Sequence, residues 1–153
     1  MLKRPITYED FNGQEQTETF YFNLTESELL EMEVEYEGGF TRLMMNVIEA
    51  EDEKRIFKEF QKLILMSYGQ RSEDGKRFVK SEELMEEFKQ HAAFNSLFME
   101  LGTQDKKAAE FLIGVLPAKM VAEMDMTDPE KAVSQAAKMI EDAKGSNGLS
   151  GEQ

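Results

Sequence analysis

Apolar residues alternate along the first two dozen positions and then recur mostly at every third or fourth. The chain therefore reads as a β-hairpin followed by helices. Ile6 and Tyr8 alternate with polar neighbours, and Thr17-Glu-Thr-Phe-Tyr-Phe-Asn-Leu24 is rich in residues that strands favour. Asn12-Gly13 between them suits a type I′ turn, whose central residues need positive φ. Two strands alone are marginal in water, so the Phe20, Phe22 and Leu24 side of this 4–24 hairpin is expected to pack on helices.

Thr25-Glu-Ser-Glu28 has the spacing of a capping box, in which the Thr25 hydroxyl and the Glu28 carboxylate each take the other residue's amide. A helix is predicted from about Glu26. The following Leu30-Glu-Met-Glu-Val-Glu-Tyr-Glu37 alternates like a half-buried strand, so the helix end is open, short of Gly38-Gly39. From Phe40, Leu43, Met44, Val47 and Ile48 make one helical stripe. A third helix holds Ile56, Phe57, Phe60, Leu63, Ile64 and Tyr68, with Gly69 ending it.

Gln70 to Lys80 is a polar connection turning at Asp74-Gly75, with Phe78-Val79 as a short extended piece. Ser81 caps a helix predicted to run unbroken through Leu84, Phe88, Ala92 and Phe98 to Gly102. Thr103 or Asp105 caps the next, Lys106 to Leu116, whose apolar residues lie nearly all round. That pattern belongs at the centre of a bundle. Lys119 to Met126 fits no single element. Asp128-Pro129 opens a last helix with a stripe of Ala132, Val133, Ala136, Ala137 and Ile140. Lys144 to Gln153 has the composition of a flexible tail.

The expected fold is mainly α: a compact bundle of about five to six helices carrying an N-terminal β-hairpin. Residues 1–143 form one domain and 144–153 a tail. Phe60, Ile64, Phe88, Phe98 and Leu112 are expected in the core. A length of 153 residues, 41% apolar with 11 Phe and 4 Tyr, suffices for one core. No apolar run approaches the roughly 20 residues that span a membrane. The absence of cysteine removes disulfides, thiolate metal sites and thiol nucleophiles.

Charge adds a direction. Of the net −13, the whole excess lies early: fourteen acidic residues stand against Arg42 alone between Glu9 and Glu53. Such a field repels nucleic-acid phosphate and attracts a basic partner.

Catalytic chemistry finds little footing. His91 is the sole histidine and reads as an ordinary helix residue. Glu82, Glu83, Glu86 and Glu87 look outward from a helix whose other face is apolar. Gln70-Arg-Ser-Glu-Asp-Gly75 lacks the ligand spacing of a calcium loop. Phosphate-cradling glycine loops and nucleophile elbows are missing from the sequence. No cofactor is expected, and the residues name no reaction. The 11 methionines point instead to binding. Met side chains adapt to varied apolar helices, and Met44, Met45, Ile48, Met120 and Met124 are the candidate contact residues, with core filling the plainer use of the same side chains.

Tyr68-Gly-Gln-Arg-Ser-Glu-Asp-Gly-Lys-Arg-Phe-Val-Lys-Ser81, FNSLFMEL at Phe94–Leu101, Ala108-Ala-Glu-Phe111 and Pro117 resemble the tail assembly chaperones of long-tailed phages and prophages of Gram-positive bacteria. Asn23-Leu-Thr-Glu-Ser-Glu-Leu-Leu30 and Glu37-Gly-Gly-Phe40 fit the same pattern. The resemblance implies a non-enzymatic protein in the host cytoplasm, absent from the finished virion. It implies binding to the helical tape-measure protein, recruitment of tail-tube subunits, and homo-oligomers formed on the partner. Other readings of the same residues are an acidic nucleic-acid mimic that inhibits a host DNA-binding protein, and a structural virion component.

Overall fold

The computed structural model describes residues 1–35, 38–39, 42, 53–122, 131–136, 138–139 and 142. Strand β1 (Leu2–Glu9) pairs antiparallel with β2 (Glu15–Phe22) over its whole length, from Leu2 opposite Phe22 to Glu9 opposite Glu15. The turn between them is wider than the expected two-residue type. The Asp10 amide donates to the Gln14 carbonyl, the Asp10 carbonyl accepts from Gly13, and Gly13 sits at φ 78°. The Asp10 carboxylate fixes this geometry by accepting the Asn12 and Gln14 amides, both at 2.9 Å. A short acidic side chain thus overrides the local Asn-Gly preference.

The sheet is larger than a hairpin. β3 (Tyr68–Arg71) joins β2 through Tyr68 and Gly69, and β4 (Phe78–Val79) pairs with β3, giving the antiparallel order β1-β2-β3-β4. Tyr68 and Gly69, expected at a helix end, are therefore strand residues. Gly69 is required by closeness: a Cβ there would lie 2.6 Å from the Phe78 ring and 2.8 Å from the Val79 carbonyl. The Asp74-Gly75 turn forms as predicted, with Gly75 at φ 72° and Asp74 Oδ1 bonded by the Ser72 hydroxyl and the Lys76 amide.

Helix α1 (Glu26–Glu35) opens with the predicted capping box: Thr25 N–H donates to Glu28 Oε1 at 3.1 Å, and Glu28 N–H to Thr25 Oγ1 at 3.2 Å. The period-two run that follows is helical through Glu35; Leu29, Met32 and Glu33 turn inward while Val34 stays 79% exposed. The buried Glu33 carboxylate lies against Gly39, whose φ of 77° and lack of a side chain admit it. The stripe from Phe40 to Ile48 lies outside the described residues, as do Ala137, Ile140 and the 144–153 tail.

Helix α2 (Glu53–Ser67) leads directly into β3. The helix predicted from Ser81 to Gly102 is two: α3 (Glu82–Gln90) and α4 (Ala92–Thr103), divided at His91 with ψ 140°. Ser81 caps α3 through the Leu84 amide at 3.1 Å, and His91 caps α4 through Nδ1, which accepts from Ala93 N–H at 3.0 Å. His91 is a helix joint, not an ordinary helix residue. Helix α5 (Asp105–Val115) is the central one, with Ala108, Phe111, Leu112 and Val115 all buried. Its cap position is Gln104, with no side-chain bond; the Thr103 hydroxyl instead donates back to the Met99 carbonyl. Short α6 (Ala118–Val121) follows Pro117, and helical residues 131–136 bury Ala132, Val133 and Ala136.

One hydrophobic cluster joins the inner sheet face to these helices. Phe22 is its hub, fully buried and in ring contact with Tyr68, Phe88 and Phe111. Tyr68 stacks on Phe88 at 4.1 Å. Phe60, Ile64, Phe88 and Leu112 are buried as expected, but Phe98 is only partly so. It lies at the rim, stacked on Phe94 and edge-on to the exposed Phe57. The mainly helical reading with an N-terminal hairpin agrees in outline with this fold; the four-stranded sheet is the addition.

Candidate functional site

Three elements converge on a groove floored by methionine and edged by carboxylates. Helix α1 supplies Glu28, Glu31, Met32 and Glu35, which fall three and four residues apart and so share one face. Met66 comes from the last turn of α2, and Met85 from the first turns of α3. Lys80 and Ser81, between β4 and α3, close one end.

The floor and the rim differ in what they offer. Met32 is 4% exposed and forms the base, while Met66 and Met85 are half-buried. Glu28 is already engaged: Lys80 Nζ pairs with its Oε2 and also donates to the Asn23 carbonyl at 2.7 Å. Glu31 and Glu35 remain exposed on the outer wall. The cavity holds about 250 Å³. That falls below the roughly 300–1,000 Å³ of small-molecule pockets and suits one or two inserted side chains. A lysine or arginine fits both parts, laying its aliphatic stem on sulfur and methylene while its charge faces a carboxylate.

Of the methionines singled out from sequence, Met120 lies on α6, partly buried against the core. Met44, Met45, Ile48 and Met124 lie outside the described residues. The groove's own methionines went unnoticed because each sits in an ordinary apolar stripe. Only the turn of the chain through β3 and β4 brings Met66 and Met85 together. Glu82, Glu83, Glu86 and Glu87 are exposed on α3. Among the described residues, no group of three or more histidine or acidic side chains is placed to hold a metal ion, and no helix is long and apolar enough to cross a membrane.

A family model described as phage tail assembly chaperone matches residues 1–151, almost the whole chain. The protein belongs to the phage tail assembly chaperones. No curated protein and no solved structure matches it. For a tail assembly chaperone the expected ligands are other proteins of the tail, and a side-chain-sized groove with a soft floor and an acidic edge has the chemistry of a peptide site.

Proposed function

We propose that this chaperone keeps segments of the helical tape-measure protein soluble by seating them on the Met32–Met66–Met85 groove. An amphipathic helix would place apolar anchors on the methionines and basic residues beside Glu31 and Glu35. The observation that carries the reading is the groove itself, an adaptable apolar floor beside exposed carboxylates. Met44, Met45, Ile48, Met120 and Met124 are proposed as further contributors that extend the contact. Bound copies would then help recruit tail-tube subunits in the host cytoplasm and leave before the virion is complete.

Co-expression with the tape-measure protein tests this. The partner should become soluble and co-purify at 0.5 M salt, because apolar contacts resist screening. Met66→Glu with Met85→Glu should weaken binding at least about 30-fold, the loss expected when a central anchor is removed. Both residues are half-buried, so circular dichroism should still report a folded chain. A folded double variant that binds as well as the parent overturns the groove; a parent chain that leaves the tape-measure protein insoluble overturns the partner.

A further inference from the structure

The sheet buries Ile6, Tyr8, Phe20 and Phe22 in the core. Strand alternation sends the residues between them to the opposite face, where Lys3, Pro5, Thr7, Thr17 and Thr19 are exposed. At one end of this outer face two aromatic rings each carry a cation. Lys3 stands opposite Tyr21, Tyr21 opposite Gly69, and Phe78 opposite Arg71, so the register places all five on the same side. The Arg71 guanidinium carbon lies 5.6 Å from the centre of the Tyr21 ring, and Lys80 Nζ lies 5.7 Å from that of Phe78.

The two cations differ in what is left to them. Lys80 is engaged by Glu28 and the Asn23 carbonyl. Arg71 is exposed and makes no ion pair among the described residues, and the same holds for Lys3 and for Lys76 and Arg77 in the β3–β4 turn. Of the two acids in that turn, Asp74 is tied to the Ser72 hydroxyl and the Lys76 amide, and Glu73 is exposed. A guanidinium resting on a ring is already ordered, and its planar fork matches the two oxygens of a carboxylate. Lys3 lies across Tyr21 from it, about 12 Å between Cα positions at strand spacings.

We propose that the Lys3–Tyr21–Arg71 face binds an acidic peptide segment of a partner protein, one carboxylate on the Arg71 fork and another on Lys3. Charge complementarity selects this occupant. The face is a cationic island on a chain of net −13, and with a screening length of roughly 8–10 Å a short segment responds to the cations beside it. A nucleic-acid strand fits worse. Its phosphates would run on toward Glu9 and Glu15, paired on the same face roughly 20 Å away. A cation over each ring also competes with the base stacking on which single-strand binding relies. The methionine groove favours basic residues, so the two sites select segments of opposite charge, and this one does not rest on the groove.

Fluorescence anisotropy tests this with a labelled peptide of alternating glutamate and serine, its glutamine counterpart, and an oligo-dT strand. The parent chain should bind the glutamate peptide at least tenfold more tightly than either of the others. Lys3→Ala with Arg71→Ala should weaken that binding at least tenfold, and Arg71→Lys, which keeps the charge but not the fork, several-fold. Both positions are exposed, so circular dichroism should match the parent. Met66→Ser with Met85→Ser should bind the peptide as the parent does. A glutamine peptide bound equally well, or Lys3 and Arg71 variants that bind like the parent, overturns the proposal. Oligo-dT bound as tightly as the peptide overturns it in favour of a nucleic acid, and loss of binding in the Met66 and Met85 variant overturns it in favour of the groove.

Discussion

At the scale of residues, His91 shows one side chain joining three elements. Its Nδ1 accepts the Ala93 amide, so the ring proton rests on Nε2, which points to Glu18 Oε2 at 3.6 Å, beyond direct hydrogen bonding. The ring edges meet Tyr8 at 5.1 Å and Phe20 at 5.4 Å. His91→Ala should therefore lower unfolding free energy by about 1–2 kcal/mol, the usual loss for a helix cap, and His91→Asn should restore part of it in urea titrations. Three carboxyls add a pH dependence. Asp10 is held below its ordinary pKa chiefly by the Gln14 amide, Asp74 by the Ser72 hydroxyl, and Glu100 by Lys107 with help from Arg4. Each binds protons more weakly folded than unfolded, so their stabilisation is present above the ordinary carboxylate range and fades as pH falls through the folded values. Melting temperature should drop on the acid side, and Asp10→Asn with Asp74→Asn should flatten that drop. None of this was legible from sequence for His91, whose capping role depends on a backbone break that helical periodicity does not signal.

At the scale of elements, local rules worked wherever a few neighbouring residues settle the outcome. The Thr25–Glu28 box, the Ser81 cap and the Asp74-Gly75 turn needed nothing distant. The failures are places where tertiary contact chose between alternatives. Tyr68 continues the apolar stripe of α2, yet pairing with Phe22 and stacking on Phe88 hold it in a strand. Leu30 to Glu35 alternates like a strand, yet the capping box and the burial of Leu29 and Met32 hold it in a helix. Gly69 offers a direct check. Its missing Cβ is matched by the Val79 carbonyl, which is backbone and cannot swing aside. Gly69→Ala should cost about 1–3 kcal/mol, as overpacking does, and should displace the β3–β4 hairpin while leaving α5 protected from hydrogen exchange. Gly75→Ala, with open space around its Cβ position, should cost less and only through its positive φ.

At the scale of the whole molecule, the described acidic residues of the first third stand in different settings. Among its described residues, Glu9 and Glu15 flank the hairpin tip, Glu33 is buried, Glu28 is paired with Lys80, and Glu31 and Glu35 edge the groove. Among the described residues these carboxylates include two local groups, one at the hairpin tip and one along the groove. Composition revealed the charge and the methionine supply, and the words around Tyr68–Ser81 revealed the family, but which methionines meet which carboxylates depends on helices distant in sequence. The proposed seating of a tape-measure helix in the groove carries a kinetic signature. Exposed charges act mainly on encounter, and buried apolar anchors mainly on escape. Glu31→Lys with Glu35→Lys should thus slow association with a basic tape-measure segment several-fold and remove most of its salt dependence, leaving dissociation nearly unchanged. Met66→Ser with Met85→Ser should instead speed dissociation tenfold or more, about 1.4 kcal/mol, with association and its salt slope intact. Stopped-flow binding at two ionic strengths separates the two. Equal effects of both pairs on dissociation would mean that the carboxylates are buried in the complex, and the partner then reaches over the α1 wall rather than lying in the groove.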